Sequence, residues 1–494
     1  MTLTIMASPK GKTILVDLGG VFVHPPTDRT LATGNSTIPL RRLMLSSTWM
    51  EYECGKLSET DCFSRLASEY CFETSELAAL MSDLRQTITY DEKVAAVFAE
   101  AKQPGTRIFL VTNISCEDYT ALRGRWSEDF WSIFDGVFTS SALGVRKPNL
   151  GFYRHVLRVT RSIPHETFFV DDRPENVLAA LSFGMKGTFE ISDISRSLAN
   201  FIGDPIQRGL AFLQRQQGKF PTTTQYGEPI DENYAPLLMR EVLNDKHVYL
   251  YNPSDPSLTL INRSLVNVEV PSRLWNFFSG KPKYTTEDYP QDLDTTSLGM
   301  LAFPPEDATA HSILDDMLDH IDDDGSIQTY FDKSRPRADA VITLNVLTVF
   351  HKYGRSHELP TTLEWMVNIL LNRAYIKGTR YYANAEWFLY YMVRLLREST
   401  DATLQERIQS ILRTRVAERI GSPGDAFCLG MRVLACKHLE IENYPDRQKL
   451  LDMQQEDGGW EASCLYYFPG KNLEVGNRGA STAFALKALE CWAP

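Results

Sequence analysis

Through the first two hundred residues, apolar positions come in short unbroken runs, each closing on a polar residue or a glycine. Thr13-Ile-Leu-Val-Asp17 leads into Gly19-Gly20, and similar runs occupy Arg107–Thr112 (RIFLVT), Gly136–Thr139, Thr167–Asp171 (TFFVD) and Lys186–Ile191. Such runs predict strands buried on both faces that enter tight turns. Between them the apolar spacing becomes helical. After the first run, Ser58-x-x-Asp61 predicts a capped helix start followed by Phe63, Leu66, Ala67 and Tyr70, and Thr74 precedes Leu77, Leu80, Met81 and Leu84. Alternating strand and helix predicts a parallel α/β sheet covered on both faces, with ligands beyond the carboxyl ends of its strands. Asp17, Thr112 and Asp171 all fall at such ends.

Beyond Phe201-Ile-Gly203-Asp204 the strand rhythm fades and helical spacing takes over, as in Ile313/Met317/Ile321, Ile342/Val346/Val349/Phe350, Trp365/Ile369 and Phe484/Ala488/Cys491. The expected organisation is an α/β domain over 1–202, with a helical insert over about 22–100, and an all-α domain over 203–494.

The chain has 494 residues, which is too long for one ordinary core. A net charge of −12 argues against nucleic acid as a partner. Any phosphorylated ligand must therefore be held by local cations. The eight cysteines show neither C-x-x-C pairs nor zinc spacing, which fits a reducing compartment. Residues 1–12 lack a secretory apolar core and no run is long enough to span a membrane, so a cytoplasmic protein with no integral membrane segment is expected. Oligomeric state is not legible.

Two sets of residues carry chemistry. Asp292-Leu-Asp294-Thr295-Thr296-Ser297 sets two acids two apart, followed by hydroxyls. It follows Pro290 and precedes Leu298, so it also reads as an acidic helix start. Gln454-Gln-Glu-Asp-Gly-Gly-Trp460 is a Q-x-x-x-G-x-W element. Upstream stand Asp17, Thr112-Asn113, Gly144-Val-Arg-Lys147-Pro and Asp171-Asp172. The latter also spells D-D-x-x-E with Glu175, but it follows a strand.

The upstream set resembles the four motifs of haloacid-dehalogenase (HAD) phosphatases, whose small cap the helical insert also resembles. That resemblance implies Asp17 as the phosphoryl-accepting nucleophile. It implies Thr112, with Asn113, on phosphate oxygens, and Lys147 as the neutralising cation. Mg²⁺ would be held by Asp17, the Gly19 carbonyl, Asp171 and Asp172. Gly19 stands where that family usually carries its general acid, a side chain typically contributing about 10²–10⁴ in rate. Cleavage that expels a phosphate monoester needs that help little; expulsion of an alkoxide needs it more.

The downstream set resembles class II terpene cyclases with their α/α barrel, D-x-D-T-T-S acid motif and QW element, the last of which implies a structural joint that ties neighbouring helices by amide hydrogen bonds and indole packing. The resemblance implies Asp294 as the proton donor to an alkene, Asp292 as the neighbouring acid and Thr295 as a hydroxyl orienting it. Burial and a second carboxylate would keep one acid protonated. Cation stabilisation calls for aromatic faces: Trp275, Phe277, Phe278, Phe303, Tyr381, Tyr382, Trp387, Tyr390, Tyr391, Trp460, Tyr466 and Tyr467 are the candidates. Lys281, Lys283, Arg335, Arg337 and Arg380 are the nearest cations for a diphosphate. A HAD-like domain fused to such a cyclase is similar to the drimane-type sesquiterpene synthases, the albicanol and drimenol synthases. The resemblance implies farnesyl diphosphate as substrate, a bicyclic drimane diphosphate as intermediate and the alcohol as product. Which alkene forms is left open. A cyclase with an inert HAD domain, or a phosphatase with a merely binding helical domain, are the alternatives.

Overall fold

The computed structural model describes residues 11–24, 29–33, 36–216, 220–243 and 273–492; the reading of residues 1–10 falls outside them. The chain divides into two compact units, Met1–Ile202 and Gly203–Pro494.

The first unit is built on a five-stranded parallel sheet in the order Gly136–Thr139, Arg107–Thr112, Thr13–Val16, Thr167–Val170, Lys186–Thr188. Alternate residues leave opposite faces. Ile14, Val16, Ile108, Leu110, Phe168 and Val170 belong to one core, shared with Phe98 and Leu198 of helices Glu92–Ala101 and Ile194–Ile202. Leu15, Phe109, Val111 and Phe169 belong to another, with Phe152 of helix Leu150–Thr160 and Val177 of helix Pro174–Leu181. Both faces are thus covered, which is why the strands read as unbroken apolar runs. Three strands stop earlier than the runs do, at Val16, Val170 and Thr188. Asp17 and Asp171 therefore sit just past the last paired residue.

The insert carries helices Leu40–Met44, Ser47–Glu53, Glu59–Tyr70 and Thr74–Thr87, and the Ser58 side chain accepts from the Asp61 N–H as the spacing predicts. It also holds a hairpin, Thr30–Thr33 with Ser36–Pro39, that was not anticipated. Only Leu31 and Ile38 of these strands are buried hydrophobics, too few to make a visible run.

In the second unit six helices close a ring: Tyr234–Leu243, Leu293–Ala302, Ala340–Lys352, Ala385–Glu398, Ala426–His438 and Arg478–Glu490, each packed on the next and the last on the first. Pro205–Gln216, Asp307–Leu318, Pro360–Leu371, Ala402–Ala417 and Tyr444–Asp452 lie outside them. The ring helices are buried all round, as residues 340–351 and 385–396 show. Asp307–Leu318 buries only Ala310, Ile313, Leu314 and Met317. Inner helices apolar on every side and outer helices apolar on one stripe are what a two-layer barrel requires.

The helical unit also carries a small sheet that helical spacing does not predict. A four-stranded antiparallel sheet runs Cys464–Phe468, Leu473–Asn477, Thr222–Thr224, Pro229–Ile230. Its pairing joins segments some 250 residues apart (Val475 with Thr224), which local periodicity does not reveal. Ile321 likewise lies beyond its helix, bridged to Ile327 across a turn. The QW element ties layers together. Gln454 donates to the carbonyls of Pro205 and Gly458, both at 2.9 Å, and the Trp460 indole donates to the Leu450 carbonyl at 2.7 Å. Gly458 has φ +89°, and a methyl there would meet the Arg208 carbonyl oxygen at 2.3 Å.

Candidate active sites

At the carboxyl edge of the parallel sheet, Asp17, Asp171 and Asp172 bring carboxylate oxygens within 4.8 Å of one another. The buried Lys147 ammonium lies 3.0 Å from Asp17 Oδ1 and 2.6 Å from Asp171 Oδ2. Asp17 also accepts from the Leu18 N–H at 2.7 Å. Burial raises its carboxyl to about 6, against the pull of Lys147 and with a further push from Asp171. Asp171 is the most engaged of the three, accepting from Lys147, the Arg173 N–H and the Asn176 amide. Asp172 is the most exposed, and burial and Asp171 raise it as well. Three convergent carboxylates with one shared ammonium are short of positive charge, and carboxylate oxygens are the donors Mg²⁺ takes. The residues fit a divalent cation.

The glycines here have distinct roles. Gly20 has φ +72°, and a methyl on it would stand 2.2 Å from the Asp172 carboxyl carbon. At Gly19 a methyl meets nothing within 4 Å, so the space a general acid would use is open. Thr112 is buried at its strand end. Asn113 is turned to another task than the one expected: its side chain bonds the Lys147 backbone at both N–H (2.9 Å) and carbonyl (3.0 Å), fixing the lysine loop. Glu53, at the end of an insert helix, lies 3.1 Å from Arg146 and is raised to about 7 by burial.

In the second unit Asp292 is the N-cap of helix Leu293–Ala302, its Oδ1 accepting from the Thr295 N–H at 2.6 Å. Asp294 follows in the first turn, only 4 % exposed. Its Oδ1 accepts from the Asn345 amide and its Oδ2 from the Tyr382 hydroxyl. The Tyr382 hydroxyl lies 2.7 Å from that of Tyr234, which lies 2.7 Å from that of Tyr391. Burial raises Asp294 to about 6; the Tyr382 and Asn345 bonds oppose this by favouring the carboxylate, and Asp339 adds to it. Burial and the neighbouring Asp294 raise Asp292 to about 7, and its Oδ2 has no hydrogen-bond partner among the described residues.

Aromatic faces gather around these acids. Tyr466 stacks on Phe277 (centroids 4.9 Å) and Tyr381 (5.4 Å) and meets Tyr382 edge-on at 6.2 Å. Trp387 sits 5.1 Å from Tyr382. Tyr330, bridged by backbone to Asp292, joins its hydroxyl to Tyr381 at 3.0 Å. A neutral carboxylic acid in this setting can give up a proton, and the donors on its oxygens stabilise the carboxylate left behind.

Residues 206–353 match the family described as the sesquiterpene cyclase astC-like C-terminal domain. The chain is 36% identical over 483 residues to drimenol cyclase drtB of Aspergillus calidoustus, covering 97% of this chain and 88% of that one. It belongs to the drimane-type sesquiterpene synthases. Within the N-terminal part, 178 residues are 36% identical to the sesquiterpene phosphatase astK of Aspergillus oryzae (strain ATCC 42149 / RIB 40), covering 36% of this chain and 88% of that one. A HAD family enzyme from Bacteroides thetaiotaomicron, solved with magnesium and inorganic phosphate, is 16% identical with a TM-score of 0.29, over 36% of this chain and 93% of that one.

For this drimane-type synthase the expected residues divide. Asp292, Asp294, Tyr381, Tyr382, Trp387 and Tyr466 come together. Trp460 does not join them: it is pinned to the Leu450 carbonyl beside helix Pro205–Gln216, so its place is a helix joint rather than a substrate wall. Tyr467 points away and bonds Asn472 at 2.5 Å, as the residue after an inward Tyr466 must on a strand. Trp275 lies against Phe303 and Gly299, where a methyl would strike the indole at 2.3 Å. Phe278 packs on Tyr289 at 5.0 Å. Thr295 meets Asp292 through its backbone N–H, and its hydroxyl has no hydrogen-bond partner among the described residues; the side chains that hold Asp294 are Asn345 and Tyr382.

Among the cations, Arg335 is taken up by Asp288 and Asp332, and Lys281 by Glu287. Lys283 bonds the Pro229 carbonyl, and Arg380 is an exposed residue over Tyr381. Arg337 reaches the Tyr381 hydroxyl at 3.5 Å and lies over Tyr330, which makes it the candidate cation tied into the tyrosine cluster. Asn345, Tyr234 and Tyr330 were missed. Asn345 had a signal: it is the one carboxamide in the apolar helix AVITLNVLTVF. Tyr234 and Tyr330 had none.

No helix among the described residues is long and apolar enough to cross a membrane, and the eight cysteines are all free.

Proposed function

We propose that this enzyme cyclises farnesyl diphosphate by protonation and then hydrolyses the bicyclic drimane diphosphate to its alcohol, drimenol-like or albicanol-like. The observation that carries this reading is the buried carboxyl of Asp294, held between Asn345 and Tyr382 and surrounded by aromatic rings. In the proposed first step Asp294 gives its proton to the distal alkene of the folded chain. A tertiary cation forms, two ring closures follow, and loss of a proton leaves the drimane skeleton with its diphosphate intact. Tyr381, Tyr382, Trp387 and Tyr466 offer ring faces to the positive charge. Arg337 is the proposed contact for the diphosphate.

In the second step Asp17 attacks the terminal phosphorus and forms an aspartyl phosphate that water then hydrolyses. Lys147 offsets the charge on the nucleophile and phosphate, and Thr112 offers its hydroxyl to phosphate oxygens. Asn113 and Asp171 hold Lys147 in place. Mg²⁺ held by Asp17, Asp171 and Asp172 would supply positive charge to the transferring group. The first cleavage expels a phosphate monoester and suits a site with Gly19.

Gly19 also favours a second reading, in which the cyclised diphosphate is the released product. Incubation of the purified protein with farnesyl diphosphate and Mg²⁺, extracted with and without added phosphatase, separates the two. Bicyclic alcohol in the untreated extract supports the bifunctional reading; alcohol only after phosphatase supports the cyclase-only reading.

A further inference from the structure

Asp294 ends each proposed cyclisation as a carboxylate and must regain a proton before the next. Two of the ring helices carry a polar path from it toward the opposite end of the barrel. The Tyr382, Tyr234 and Tyr391 hydroxyls follow one another at 2.7 Å and 2.7 Å, starting from the Tyr382 bond to Asp294. All three side chains are buried. On helix Ala385–Glu398, Arg394 stands one turn beyond Tyr391, its guanidinium 3.9 Å above that ring. On helix Tyr234–Leu243, Glu241 stands two turns beyond Tyr234 on the same face, about 10 Å along the axis. The two meet as an ion pair at 3.7 Å, with Arg397 3.4 Å from Glu241.

Glu241, Arg394 and Arg397, with Tyr390, His438 and Lys487, line a cavity of about 160 Å³. Arg394 is 1 % exposed, and none of its three guanidinium nitrogens has a hydrogen-bond partner among the described residues; Glu241 Oε2 also lacks one. At roughly 30 Å³ each, several water molecules fit a cavity of this size beside these charged groups. The tyrosine path thus ends beside Arg394, which itself lines this charged cavity.

We propose that this path is the reprotonation route of Asp294, an inference that rests on the cyclase reading above. A proton from the Glu241 side of the chamber passes through water to the Tyr391 oxygen while the Tyr391 proton moves to Tyr234. The Tyr234 proton moves to Tyr382, and the Tyr382 proton to Asp294 Oδ2. Each hydroxyl loses one proton and gains one, so no tyrosinate forms. One proton enters from solvent and one has left with the terminating deprotonation, which keeps the isomerisation balanced. The hydroxyls then turn about their C–O bonds to reset the chain. Tyr234, Tyr391 and Glu241 act through Asp294 and are positioning residues.

The test is rapid-quench kinetics on the full-length protein with farnesyl diphosphate, comparing wild type with Tyr391→Phe and Glu241→Gln. The relay predicts a first turnover of bicyclic product at the wild-type rate in both variants. Steady-state kcat then falls by about tenfold or more, KM falls with it so that kcat/KM is retained, and the solvent deuterium isotope effect on kcat rises. A purely structural role would lower burst and steady state together. That result, or a wild-type steady state in both variants, would overturn the relay. A normal burst keeps the Asp294 reading intact even if the relay fails, whereas wild-type protein that forms no bicyclic product removes the reading beneath it.

Discussion

The side-chain amide of Asn345 donates to Asp294 Oδ1, joining the acid motif to the middle of an apolar helix 51 residues on. The bond is buried and holds Oδ1 while the Tyr382 hydroxyl holds Oδ2. Hydrogen bonds to charged groups contribute about 1.5–3 kcal/mol. Asn345→Leu keeps the volume and the helix, and is expected to lower kcat/KM for cyclisation by about 10–100-fold. Hydrolysis of a small phosphate ester should stay at the wild-type level. Unchanged cyclisation in this variant would remove Asn345 from the mechanism.

The pH dependence has a definite sign. Asp294 must be protonated to act, and burial raises its carboxyl to about 6. kcat/KM for cyclisation should therefore be level below that pH and fall as pH rises through it. Tyr382→Phe removes a donor that favours the carboxylate, so the falling limb should shift to higher pH while the maximal rate drops. A limb that moves to lower pH, or does not move, contradicts the assignment of Tyr382.

The phosphatase site can be silenced by itself. Asp17→Asn, or chelation of divalent cations, is expected to slow alcohol release by at least about a hundredfold. Bicyclic material still carrying phosphate should accumulate, and mass spectrometry of the aqueous phase would detect it. Full alcohol release by Asp17→Asn would eliminate the aspartyl phosphate.

Gly19 offers a gain-of-function test. A side chain there enters open space, and its φ is not in the left-handed region. Gly19→Asp should speed the second cleavage, up to about the 10²-fold lower bound for general acids. The readout is the ratio of monophosphate to alcohol over time.

How much of this was legible depended on the range of the interactions. Asp17, Thr112 and Asp171 could be placed because each closes an apolar run, and strand ends are local. Asp292 and Asp294 stood out because their spacing is local too. Tyr234 could not be found this way: its role depends on Tyr382 and Tyr391, about 150 residues on. The sheet of Cys464–Phe468 and Thr222–Thr224 was hidden for the same reason, and it presents Tyr466 inward and Tyr467 outward. Trp460 carried two readings, a helix joint through its QW element and a substrate wall through its ring, and its indole bond to the Leu450 carbonyl fits the joint.

The most direct test replaces the acid itself. Asp294→Asn preserves shape and both hydrogen-bonding neighbours but removes the transferable proton. Product analysis with farnesyl diphosphate should show no bicyclic compound, while folding by circular dichroism and hydrolysis of a small phosphate ester match wild type. Bicyclic product at the wild-type rate from Asp294→Asn would contradict the account.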